Sequence, residues 1–145
     1  MKIFRSVLIF ILPVFASVNL AYCQCSALAN AECKQRAAQF THYDSYTVNV
    51  IAEGERVELS KLFTARQQYR IALCSEAQLP QLHISVMDTN RTVLFSNTGE
   101  NYTTSWDFTV KKTQQLLISV EVETIDDHAS DSILQGCAAL LIGTL

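Results

Sequence analysis

The sequence predicts an all-β protein: an antiparallel β-sandwich of about eight strands with one short N-terminal helix. Three observations carry this reading. Apolar residues alternate with a period of two in run after run between Tyr46 and Ile142. The connections between runs are short and polar, as in Asp88-Thr89-Asn90-Arg91 and Lys111-Lys112-Thr113. No helix-length segment separates the runs, so parallel βαβ units are excluded.

The chain opens with an export pattern. Lys2 and Arg5 form a short basic region, and 7–18 is apolar except for Pro13 and Ser17. That run is shorter than the ~20 residues a membrane span needs, and it fits the apolar core of a signal peptide. No later run is apolar enough to span a bilayer. A small-x-small pattern at Ala21-Tyr22-Cys23 places cleavage before Gln24, with cleavage after Ala21 the alternative. Lipid anchoring is the lesser alternative, because Tyr22 precedes Cys23 and Gln24 precedes Cys25, where a lipoprotein signal wants a small residue. The expected organisation is a signal peptide over 1–23, a helical segment over 24–44 and a sandwich over 45–145. The expected location is secreted or periplasmic. Five cysteines are present, and loss or modification of Cys23 leaves an even four, suited to an oxidising compartment.

A helix is expected over Ser26–Phe40. Ser26 can cap it, five alanines favour it, and Ala29, Cys33, Ala37 and Phe40 form one narrow apolar stripe. Alternation then marks strands at Tyr46–Val50, Val57–Phe63, Tyr69–Cys74, Leu82–Met87, Val93–Phe95, Trp106–Val110 and Leu116–Val122. The run Cys137–Ile142 is apolar on both faces, which predicts a central, covered strand.

The order of "YRIALCSEAQLPQLHISVMDTNRTVLFSN", "WDFTV", "QQLLISVEVE" and "GCAALLIG" resembles the jelly-roll plan of bacterial pre-peptidase C-terminal domains. It also resembles small secreted proteins of Gram-negative bacteria that end in a similar "GCxxLLIG". The resemblance covers Tyr46–Gly143. It implies an eight-strand jelly roll whose last strand lies between the first and third. In that arrangement the end of the third strand, at Cys74, adjoins the start of the last, at Cys137, and a Cys74–Cys137 disulfide becomes reasonable. Cys25 and Cys33 lie eight residues apart, about 12 Å along a continuous helix, too far to bridge. They pair only if the helix starts after Cys25; otherwise Cys33 can staple the helix to a sheet cysteine. The connectivity stays open at this level.

Few chemistries fit. A net charge of −3, with Lys111-Lys112 the densest basic run, excludes nucleic acid as a partner. No cofactor motif is present. Zinc ligation lacks its spacing, since His42 is the nearest histidine to Cys33. There is no Gly-x-Ser-x-Gly, and His42, His83 and His128 sit in no catalytic motif. Asp126, Asp127 and Asp131 are calcium-ligand candidates in an acidic stretch that otherwise reads as a solvated loop. Tyr102 and Tyr43 are candidates for ligand binding by stacking, whereas Trp106 shares a face with Phe108 and Val110 and reads as core. The expected function is non-catalytic: a β-sandwich that binds a protein or glycan at the cell surface or has a structural role there. The alternative is a carbohydrate- or calcium-binding module.

Overall fold

A computed structural model describes residues 20–38, 40–125 and 133–145. Helix α1 (Leu20–Ala37) is followed by eight strands: β1 (His42–Ala52), β2 (Arg56–Phe63), β3 (Gln68–Ser75), β4 (Leu82–Met87), β5 (Val93–Ser96), β6 (Ser105–Thr109), β7 (Gln114–Val122) and β8 (Gln135–Thr144). They form two four-stranded sheets in the orders β1-β8-β3-β6 and β2-β7-β4-β5. Every pairing is antiparallel. This is the jelly-roll order, with β8 between β1 and β3.

Alternation decides which side chains fill the space between the sheets. Ile71 and Leu73 from β3 and Leu140 and Ile142 from β8 meet Ile84 and Val86 from β4 and Ile118 and Val120 from β7. Burial of such side chains drives the sandwich together, at about 25 cal/mol per Å² of apolar surface removed from water.

β8 is buried on both faces for different reasons. Ala138, Leu140 and Ile142 enter the central core. Ala139 and Leu141 point outward and pack with Ala72, Cys74, Cys33 and Ala37 beneath α1. Small residues let the helix lie close to the sheet. The same crowding operates at Gly143, where an added Cβ would stand 2.6 Å from the His42 carbonyl oxygen and 2.7 Å from the Phe40 ring.

α1 starts and ends earlier than its composition suggests. It runs through Ser26, which is an interior residue, and it stops at Ala37, leaving Phe40 to pack under it from the connection. Two disulfides fasten the helix from within. Disulfide Cys25–Cys137 (Cα–Cα 5.2 Å) holds one turn of the helix, and disulfide Cys33–Cys74 (Cα–Cα 5.7 Å) holds another. The expected Cys74–Cys137 bond is therefore not formed. Cys74 is directly opposite Ala139, so Cys137 is displaced from it by two positions along the neighbouring strand. Diagonal neighbours have Cα atoms ~7–8 Å apart, beyond the roughly 4.4–6.8 Å Cα separation that disulfides span. Each sheet cysteine takes a helix cysteine instead.

The connections are fixed by side chains. Asp88 Oδ1 accepts from the backbone N–H groups of Asn90 (2.8 Å) and Thr92 (2.9 Å), closing the β4–β5 turn. After β5 comes a single 3-10 turn, Asn97–Gly99. Asn97 is fully buried. Its Oδ1 accepts from Ile84 N–H at 2.9 Å, and its Nδ2 donates to the carbonyls of Leu82 (2.9 Å) and Thr103 (3.3 Å). One amide thus pins the whole β5–β6 connection to β4.

Non-reducing peptide mapping should yield Cys25–Cys137 and Cys33–Cys74, and recovery of a Cys74–Cys137 peptide would contradict this structure. Replacing both Cys33 and Cys74 with Ala should lower unfolding free energy by about 3–4 kcal/mol in a urea titration, on the loop-entropy model. Asn97→Ala should cost about 2–3 kcal/mol in the same assay, because it strands buried backbone groups of Ile84 and Leu82.

Candidate functional site

The sandwich has two open flanks, and they are closed differently. Between β1 and β2, Lys61 Nζ donates to Asp44 Oδ2 (2.6 Å) and to Tyr46 Oη (3.0 Å). Between β5 and β6 the closure is aromatic. β6 turns Trp106 and Phe108 inward and Ser105, Asp107 and Thr109 outward, as a period-two strand must. Phe95 of β5 stacks on Trp106 at 4.5 Å and 6°, and Trp106 stacks on Phe108 at 4.2 Å and 10°. The ladder runs into the core, with Phe108 5.3 Å from the buried Phe63. Each such pair contributes about 0.5–1.5 kcal/mol beyond its area.

Two shallow depressions lie along β6 on either side of the Trp106 ring. One, of about 510 Å³, is walled by Leu94, Trp106, Phe108, Val110 and Leu116, with Lys111 and Lys112 at its mouth. The other, of about 490 Å³, is bounded by Phe95, Glu100, Ser105, Trp106 and the Arg70–Asp107 pair. Beside them β5 exposes two apolar side chains in succession: Val93 is 57 % and Leu94 48 % exposed. The irregular register between β4 and β5 turns them outward, with Phe95 opposite Val86 and Val93 opposite Met87.

Arg70 and Asp107 face each other across β3 and β6. Arg70 Nε donates to Asp107 Oδ1 (2.5 Å) and Nη2 to Oδ2 (2.6 Å), a two-pronged pair. That hydrogen bonding holds the Asp107 carboxyl below its ordinary value of 3.8 and raises the Arg70 guanidinium. Arg36 of α1 reaches the same flank, donating to the Leu73 carbonyl (3.0 Å) and to Thr104 Oγ1. Lys111 and Lys112, by contrast, are exposed and form no ion pair among the described residues. The flank offers π surface, apolar surface and two cations that are unpaired among the described residues. The first depression is lined mostly by apolar side chains, and the second carries the charged groups Arg70, Glu100 and Asp107.

The residues singled out in the sequence fall elsewhere. Tyr43 is on β1 at the opposite flank, 46 % exposed, with the Phe40 ring 6.1 Å away. Tyr102 lies in the loop before β6 and is half-buried, edge-on to His83 of β4 at 5.3 Å. The two tyrosines therefore share no platform. Asp126, Asp127 and Asp131 lie outside the described residues, as does His128. Among the described residues no three His, Cys, Asp or Glu side chains converge on a common point. Trp106, read as core, is only half-buried and separates the two depressions. The usable signal was Val93-Leu94-Phe95, three consecutive apolar residues in a strand too short to cover them.

No family model and no curated protein matches the chain. The likeness to pre-peptidase C-terminal domains thus gains no support at the level of a family. Among solved structures, the chain is similar to PliG of Aeromonas hydrophila, a periplasmic inhibitor of g-type lysozyme, with a TM-score of 0.51. The two share 13 % identity over 72 % of this chain and 87 % of that one, a likeness of fold.

The Arg70–Asp107 pair has a defined pH dependence. A carboxyl held below its unfolded value stabilises the fold fully above that value and loses the contribution as pH falls through its folded value. The urea midpoint should therefore stay level from pH 7 to 5 and drop below pH 4. Asp107→Asn should flatten part of that drop, and an unchanged acid limb would show that the pair contributes nothing.

Proposed function

We propose that the chain is an exported, non-catalytic binding protein that engages a protein partner through its β5–β6 flank. The observation that carries this reading is the surface formed by exposed Val93 and Leu94 beside the half-buried rings of Trp106 and Phe108, at the flank closed by stacked rings. Apolar patches rimmed by charge are what soluble proteins keep for partners. Aromatic residues at their centre carry most of the binding energy in such contacts. The N-terminal export pattern, two disulfides and the lack of any helix among the described residues long and apolar enough to cross a membrane agree with action outside the cytoplasm. The shared fold with a periplasmic lysozyme inhibitor supports a cell-wall-cleaving enzyme as the first partner to test.

The test is direct. Purified, oxidised protein is titrated against g-type, c-type and i-type lysozymes by calorimetry, alongside a cell-wall lysis assay. Saturable binding to at least one class is expected, with lysis slowed. Trp106→Ala should weaken binding by about 30-fold, roughly 2 kcal/mol, as for an aromatic anchor. Leu94→Arg, which alters an exposed side chain, should weaken it comparably without touching the core. Absence of binding to all three classes would overturn the enzyme-inhibitor form of the reading.

A further inference from the structure

We infer that the edge of β6 takes an extended, acidic segment of a partner protein, seating an apolar side chain between Leu94 and Phe108 and its carboxylates against Lys111 and Lys112. This rests on the protein-binding reading and names the chemistry of what is bound.

Shape is the first argument. The two depressions are strung along one strand: Ser105, Trp106 and Asp107 border the first, and Trp106, Phe108 and Thr109 the second. A linear arrangement with one ring between two recesses suits a chain lying parallel to the strand. β6 is also the last strand of its sheet, so among the described residues no strand pairs with the backbone groups facing away from β3, and an added strand could take them. Side chains alternating from such a segment would fall into the recesses at the spacing of a strand.

Charge is the second argument. The acidic groups of the flank are concentrated at its Ser105 end, where Asp107 is already held by Arg70 and Glu100 borders the first recess. The other end carries Lys111 and Lys112, with no acidic residue lining the recess they guard. On the neighbouring sheet face the ionic groups are matched, Arg56 with Glu121 and Arg91 with Glu58. Lys111 and Lys112, unpaired among the described residues and beside an apolar recess, complement an apolar side chain flanked by carboxylates. A small amphiphile with one carboxylate has the same chemistry but a poorer fit. Both recesses are open along one side, whereas small-ligand sites enclose most of their ligand.

Trp106 is the single tryptophan, so its emission reports on the site without a label. The probe is a blocked, Thr/Val-rich heptapeptide with a central Phe and two flanking Glu; its control has Lys in place of Glu, and dodecanoate represents the amphiphile. The acidic peptide should give a saturable change in emission that weakens with added salt. In the double variant Lys111→Glu/Lys112→Glu the midpoint should rise tenfold or more, and in Leu94→Arg the response should disappear. All of these changes are at exposed positions, and unchanged melting curves confirm that the variants are folded. Equal binding of the Lys peptide, an unmoved midpoint in the double variant, or a response to dodecanoate with none to the peptide would each overturn the inference. The parent reading fails separately. If the double variant binds a lysozyme as the unmodified protein does, the acidic-segment inference falls and the protein-binding reading stands. If the acidic peptide binds as described and no lysozyme does, the inference stands and the inhibitor reading falls.

Discussion

The contact between α1 and the outer face of the β1-β8-β3-β6 sheet is the constraint on which the rest of the structure depends. A sandwich needs only the space between its sheets to be apolar, yet here a second apolar layer lies outside. Ala72, Cys74, Ala139 and Leu141 would face water if α1 were absent, and a sheet with one such face invites association. The helix is a poor candidate to cover them unaided. Helices in proteins owe most of their stability to packing of an apolar face, and exposed Lys34, Gln35 and Arg36 leave this one little apolar surface. The covalent bonds at Cys25 and Cys33 convert a weak docking surface into a permanent one. The small side chains beneath follow from that, because only they allow sulfur atoms on helix and sheet to meet.

Covering one sheet face in this way leaves the molecule asymmetric. Sheet β1-β8-β3-β6 is protected by the helix; the flank between β1 and β2 is bridged by Lys61. The flank between β5 and β6 must be closed by what two short edge strands can offer, and they offer aromatic rings. Stacked rings fill a gap well but leave their outer edges accessible. The property that makes this flank a recognition surface is therefore a by-product of how the sandwich is sealed. The buried Asn97 makes it usable, because it fixes the connection between the two strands and so the separation of Phe95 from Trp106.

The layers of the fold were legible in the sequence because period-two alternation is a direct image of a sheet with one buried face. Leu116, Ile118, Val120 and Val122 show this on β7, all of them buried. The covered state of β8 was legible for the complementary reason, an unbroken apolar run. The partners of the cysteines were not, because pairing depends on a two-residue offset between β3 and β8 that no local pattern encodes. The helix ends were misplaced because Ser26 has the chemistry of a cap yet lies inside a helix that begins at Leu20 and stops at Ala37. The recognition flank was hidden in the same way. Trp106, Phe108 and Val110 have the pattern of a core strand, and only the position of β6 at the sheet edge leaves the Trp106 and Phe108 rings half-exposed.

The nesting of the two disulfides bears on how the protein is made. The four cysteines of these two bonds, oxidised among themselves in order of synthesis, would join Cys25 to Cys33 and Cys74 to Cys137. The finished molecule contains neither bond. Cys25, first of the four in the chain, must stay reduced or be released from a wrong partner until the final strand carrying Cys137 has been delivered. Thiol–disulfide exchange accomplishes such release through a mixed disulfide, on a scale of seconds to hours that depends on the catalyst present. Yield of the native form is therefore tied to a compartment that can reshuffle disulfides as well as form them. A host that only oxidises would accumulate chains in which a Cys74–Cys137 bond conflicts with the β3–β8 register.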